Sequence, residues 1–180
     1  MRDRVQWLFV GGVALALAAT AIVAAKKWGA EMHTVSVGEP MPDFFAHTIN
    51  EPAVTKRFAE YRGSVVIVNV WATYCVPCRV EMPSLEHLYT SLRPKGLVVI
   101  GVSIDDPGQE PAIRDFVKQY ALSFEILQEG TGRIEQMLDV FGVPATFVIG
   151  KDGIIRKKLV GASDWDSPSS RAMVERLLAQ

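Results

Sequence analysis

The sequence predicts an α/β domain with a mixed central sheet flanked by helices, preceded by one N-terminal transmembrane helix. Three observations carry that reading. Runs of β-branched residues alternate with segments of helical periodicity, the β-α-β pattern of a parallel sheet. Two further apolar runs flank Gly150-Lys151-Asp152-Gly153, a turn sequence suited to an antiparallel hairpin, which makes the sheet mixed. The chain opens on 21 uncharged residues, Val5 to Ala25, set between Arg2-Asp3-Arg4 and Lys26-Lys27.

As a helix the N-terminal run would reach ~31 Å, about the ~30 Å thickness of a bilayer's hydrocarbon core. A cleaved signal peptide is the alternative, since Ala19-Thr20-Ala21 and Val23-Ala24-Ala25 are small-residue sites. Its apolar region is usually only ~7–15 residues long, so the length favours a retained signal anchor over residues 1–27. Residues 28–37 lack apolar periodicity and read as a tether, and the domain is expected over residues 38–180. That division suits 180 residues of which 49% are hydrophobic: one globular core and a short appendage. A net charge of −1 with dispersed Lys and Arg offers no basic stripe, which argues against nucleic acid as a partner.

Gly38 to Phe44 is a Pro-fixed extended entry. Ser64 to Trp71 is continuously apolar apart from Asn69, as expected of a strand buried on both faces. Val76 to about Leu92 follows as a helix with Leu85, Leu88, Tyr89 and Leu92 on one side. Gly96 to Ile104 is a second buried strand, ended by Asp105-Asp106-Pro107-Gly108. A helix from Pro111 to about Ala121, a strand from Phe124 to Leu127 and a short helix from Gly132 to Phe141 come next. Ala145 to Ile149 and Ile154 to Val160 form the hairpin, and Ser167-Pro168 supplies an N-cap and first-turn proline for a closing helix.

The only two cysteines, Cys75 and Cys78, stand three apart at the junction of the first buried strand and its helix. A Cys-x-x-Cys there is a dithiol poised for exchange. At the first helical turn the Cys75 sulfur lies near unsatisfied N–H groups and the positive end of the helix dipole, which favours the thiolate and makes Cys75 the expected nucleophile. Cys78, one turn deeper, is the expected resolving thiol. A zinc site would need four ligands, and only His33, His47 and His87 remain to supply them. A purely structural disulfide would close too short a loop to remove much chain entropy. No metal and no cofactor is called for. The dithiol also places the domain on the oxidising side of a membrane, with the N-terminus inside.

The run Trp71-Ala72-Thr73-Tyr74-Cys75-Val76-Pro77-Cys78, continued by Arg79, Glu81 and Pro83, together with Phe141-Gly142-Val143-Pro144-Ala145-Thr146-Phe147, resembles the thioredoxin superfamily. Within it the chain is similar to the TlpA/ResA-like branch of membrane-anchored thiol:disulfide oxidoreductases, and Asp164-Trp165-Asp166-Ser167-Pro168 resembles its TlpA side. The resemblance implies a thioredoxin-like fold from about residue 38 to the end. It implies that Pro144 is a cis-proline opposite the cysteines, that Val143 offers its backbone to a substrate strand, and that Trp71 and Tyr74 flank the substrate. Thioredoxin itself carries a buried Asp where this chain has Asn69, and the proton acceptor is then expected to be Glu81, of the branch's Cys-x-Pro-Cys-x-x-Glu-x-Pro pattern.

The function so implied is extracytoplasmic reduction of disulfides in partner proteins. The location is single-pass in the inner membrane, with the domain facing the periplasm. Apocytochrome c or copper-assembly proteins are the expected clients, and a membrane thiol reductant the expected donor. Ala145 stands where cytochrome-maturation relatives often carry Glu. A general periplasmic disulfide oxidase is the alternative, and it would want a large helical insertion. A Sco-type copper metallochaperone would want Cys-x-x-x-Cys and a downstream His, whereas no His follows His87. A peroxidase would need Pro-x-x-x-Thr-x-x-Cys, which Cys75 does not end.

Overall fold

Strands β1 (Phe45–Thr48), β2 (Thr55–Arg57), β3 (Val65–Trp71), β4 (Leu97–Ser103), β5 (Glu125–Gln128), β6 (Ala145–Ile149) and β7 (Ile155–Val160) form one sheet. Their order is β2-β1-β5-β4-β3-β6-β7. The three central strands are parallel, and β1, β6 and β7 run antiparallel to their neighbours. Four helices pack on the sheet: α1 (Val76–Leu92), α2 (Glu110–Gln119), α3 (Arg133–Leu138) and α4 (Pro168–Leu178). This is the thioredoxin-like mixed sheet expected from the sequence.

This architecture is that of a computed structural model describing residues 17–20, 23, 35–51 and 54–180. The chain divides into two units, Met1–Thr34 and Val35–Gln180. Residues 17–20 and 23 are helical; the rest of the expected anchor over 1–27, and the tether up to residue 34, lie outside the described residues. Among the described residues no helix is long and apolar enough to cross a membrane.

All seven residues of β3 are buried, and its two-residue alternation sorts them between two cores. Val65, Ile67 and Trp71 join a core completed by Leu85 and Leu88 of α1, Phe116 of α2 and Val174 of α4. Val66, Val68 and Val70 face the opposite core, with Phe44, Phe58, Ile134 and Leu138. By the same parity Asn69 points to the α1 face. Gly101 of β4 lies opposite Asn69 in the ladder. A Cβ at Gly101 would come within 2.9 Å of Ile126 Cδ1 and 3.1 Å of Trp71 Nε1, so the indole is accommodated by a missing side chain.

The sequence reading missed β1 and β2. They are four and three residues long and largely solvent-facing, too short and polar to show a strand period. The hairpin of β6 and β7 and the capped helix α4 appear as expected, with Ser167 Oγ accepting from Ser170 N–H at 3.4 Å. At the carboxyl end of the parallel strands, Gly130 passes so close to the turn after β4 that a Cβ would stand 2.2 Å from the Asp105 carbonyl oxygen. Gly130→Ala must therefore displace backbone, and urea unfolding should show a loss of about 1–3 kcal/mol; an unchanged midpoint would contradict this packing.

Candidate active site

Cys75 is the N-cap of α1, with φ −78° and ψ 106°, and its sulfur accepts the Cys78 N–H at 3.2 Å. The two cysteines form a disulfide with a Cα–Cα distance of 5.3 Å. Cys78 is fully buried whereas Cys75 keeps 6% of its surface, so a partner meets Cys75 first. Position and exposure thus distinguish the two sulfurs: the outer one caps the positive end of α1, and the inner one is buried in the first turn of the same helix.

The loop leading into Cys75 is fastened by a residue that sequence reading singles out only as part of a turn. Asp105, 4% exposed, accepts from Thr73 N–H at 2.9 Å and from Thr73 Oγ1 at 2.6 Å. Ser103 Oγ donates at 2.6 Å to Oδ2, the oxygen that also accepts the Thr73 N–H. Gln128 holds the turn itself, donating to the carbonyls of Asp105 at 3.0 Å and Asp106 at 2.9 Å. Arg79 donates to the Thr73 carbonyl at 2.8 Å and is otherwise exposed. Buried charge-assisted bonds of this kind are strong and directional, so Tyr74 and Cys75 are presented from a fixed loop.

The Val143–Pro144 peptide is cis. Ala145 pairs with Val70, which sets Pro144 at the end of β3 from which the cysteine loop departs. Pro144 is buried and its carbonyl accepts from Gly161 N–H at 2.8 Å, while Val143 is half-buried against both cores. Tyr74 is 66% exposed beside Cys75. Partial desolvation, then the negative charges of Asp105, Glu135 and Asp106, push its hydroxyl above the usual tyrosine range, so it stays a neutral phenol. Trp71 requires a correction. Expected to flank the substrate, it is wholly buried, its ring centroid 4.4 Å from that of Phe116, and it offers no surface to a partner.

Glu81 lies one helical turn beyond Cys78 and is 1% exposed. Asn69 Nδ2 donates to its Oε1 at 2.6 Å and to Thr146 Oγ1 at 2.8 Å. Its Oε2 accepts from Ser163 N–H at 3.0 Å and Trp165 Nε1–H at 3.2 Å. Burial pushes the Glu81 carboxyl above its ordinary range, only partly offset by the donors of Ser163, Asn69 and Trp165. A carboxylate moved toward neutral pH is better matched to accept and return a thiol proton. The structure thus gathers Cys75, Cys78 and Glu81 along α1, with Val143 and Pro144 at the adjoining strand end. Sequence reasoning missed Asp105, Ser163 and Trp165, although the last two lie in and beside a segment it had noted.

Comparison with known proteins gives the family and the kind of relatives. The family described as AhpC/TSA matches residues 37–158. The chain is 34% identical over 136 residues to the thiol:disulfide interchange protein DsbE of Pseudomonas aeruginosa, covering 74% of this chain and 72% of that one. It is 29% identical over 168 residues to the thiol-disulfide oxidoreductase ResA of Oceanobacillus iheyensis, covering 92% and 86%. Its fold is similar to the solution structure of a thiol:disulfide interchange protein from Bacteroides sp., with TM-score 0.69 and 18% identity over 82% of this chain and 93% of that one.

The raised Glu81 carboxyl makes a pH prediction. Folding binds its proton more tightly than the unfolded chain does, so this group's contribution is greatest below the unfolded value of ~4.3 and is lost as pH rises through the higher folded value. Glu81→Gln cannot titrate. The melting temperature of the oxidised variant relative to the unsubstituted protein should therefore climb from about pH 4 upward, by a few °C. A difference that stays flat with pH would show that burial does not disfavour the charge.

Proposed function

This chain belongs to the AhpC/TSA family of thioredoxin-like proteins and is a thiol-disulfide oxidoreductase of the ResA and DsbE kind, and on that premise we propose that it reduces disulfides in partner proteins outside the cytoplasm. The observation that carries dithiol exchange is the buried Glu81 carboxyl one turn past the inner cysteine, placed to take and return its proton, and the TlpA/ResA-like motif supports the reducing direction.

In the reduced protein the Cys75 thiolate attacks one sulfur of a client disulfide, and the client's other sulfur leaves as a thiolate. A mixed disulfide between Cys75 and the client remains. The Cys78 thiol gives its proton to Glu81 and attacks the Cys75 sulfur, releasing the second client thiolate. Two electrons have passed to the client, and the protein ends with the Cys75–Cys78 bond seen here. Glu81 returns its proton to solvent or to the departing thiolate. Val143, preceding the cis-proline, aligns the client backbone, and Tyr74 borders it.

The apolar run within residues 1–27 supports a single-pass anchor in the inner membrane, holding the domain on the periplasmic side where a membrane thiol donor re-reduces it. The TlpA/ResA-like motif supports apocytochrome c or copper-site assembly proteins as clients.

Cys78→Ser leaves Cys75 able to attack but the adduct unable to resolve. Expressed in cells, this variant should retain clients as mixed disulfides visible on non-reducing gels and identifiable by mass spectrometry, while Cys75→Ser should retain none. Adducts that persist without Cys75 would overturn the assignment of the nucleophile, and a reduction potential near ~−120 mV, the range of strong oxidants, would overturn the direction.

A further inference from the structure

Two donors on Glu81 come from the loop between β7 and α4, more than 80 residues beyond the cysteine motif. Trp165 is fully buried there, and its side chain does more than fill the core. The Nε1–H ends on Glu81 Oε2 at 3.2 Å. The Ser84 hydroxyl accepts the Trp165 backbone N–H at 3.1 Å and donates to the Glu81 carbonyl at 2.8 Å, stitching the loop to α1 within one turn of the carboxylate. From β7, Lys157 Nζ stands 5.2 Å from the centroid of the indole ring. A cation over the ring face draws π density toward itself, which strengthens the N–H as a donor.

Resting on the reading of Glu81 as proton acceptor for Cys78, we infer that Trp165 is a positioning residue for disulfide exchange: its indole N–H, polarised by Lys157, fixes Glu81 and sets the pH at which the carboxylate can take the Cys78 proton. Glu81 accepts from Asn69 of β3 and from Ser163 and Trp165 of the loop, and Cys78 precedes it by one turn on its own helix. Lys157 meets this network at the face of the Trp165 ring. Of the donors on Glu81, Ser163 contributes only backbone; Trp165 is the one this loop provides by side-chain identity.

The test uses the full chain with Trp165→Phe, which keeps an aromatic ring but no donor, and Lys157→Met, which leaves the indole in place. Carboxyl 13C NMR of the oxidised protein, assigned with Glu81→Gln, reads the Glu81 titration. Stopped-flow reaction of the reduced protein with 5,5′-dithiobis(2-nitrobenzoate) reads Cys78 attack as the second of two thiolate releases. Losing a donor to the charged form raises a carboxyl's pKa, so the midpoint should move up by roughly one pH unit in Trp165→Phe and by less in Lys157→Met. The pH profile of the second release should move with it, giving up to about ten-fold slower release below the new midpoint. In a Glu81→Gln background, Trp165→Phe should change nothing further. An unmoved or lowered midpoint, or equal slowing in both backgrounds, overturns the role of Trp165. Should Glu81→Gln leave the second release untouched, the proton-acceptor reading fails, and the role of Trp165 with it.

Discussion

A polar side chain in the middle of a strand buried on both faces must find its partners inside the protein, and for Asn69 one of those partners is Glu81. That 2.6 Å bond ties the central strand to the helix that begins at the redox pair. It brings a carboxyl group out of solvent to within a turn of Cys78, and the carboxyl then requires the donors of Ser163 and Trp165. Those donors draw the β7–α4 loop onto α1. Strand, helix and C-terminal loop are thereby committed to one arrangement by one buried amide.

The outer side of the site obeys a different economy of groups. Cys75 needs freedom to accept a client yet must stay at the helix N-cap, where N–H groups favour its thiolate. The Asp105 carboxylate meets that need from beneath, holding Thr73 by both backbone and hydroxyl while leaving Tyr74 in solvent. Gly130 permits the turn carrying Asp105 to pack that tightly. This support from beneath keeps the Cys75 sulfur at the helix N-cap.

Much of this was legible in the chain. The apolar character of β3 apart from Asn69, the helical spacing after Cys78 and the Gly-Lys-Asp-Gly turn marked the elements around the site, because periodicity reports which faces are buried. Glu81 is singled out by its spacing of one helical turn past Cys78 together with the family pattern it matches. What periodicity does not report is who meets whom across the fold. Thr73 and Asp105 are 32 residues apart and Trp165 and Glu81 are 84 apart, and no local signal links either pair. Trp71 shows the converse limit: an aromatic residue at a strand end suits substrate contact, and only the approach of Phe116 from α2 and the absent side chain of Gly101 decide that it is core.

The pairing of an amide at 69 with a carboxyl at 81 also has a chemical logic that a carboxylate at both positions would lack. Two acidic groups 2.6 Å apart in a buried site could not both be ionised, so one would hold a proton and compete for the one leaving Cys78. An amide carries donor and acceptor on one rotatable group. With Glu81 ionised, Nδ2 serves both Glu81 and Thr146, and Oδ1 is without a partner among the described residues. In this arrangement both N–H groups of the amide are used, one on Glu81 of α1 and one on Thr146 of β6, so a single side chain of β3 joins the three elements around the inner cysteine.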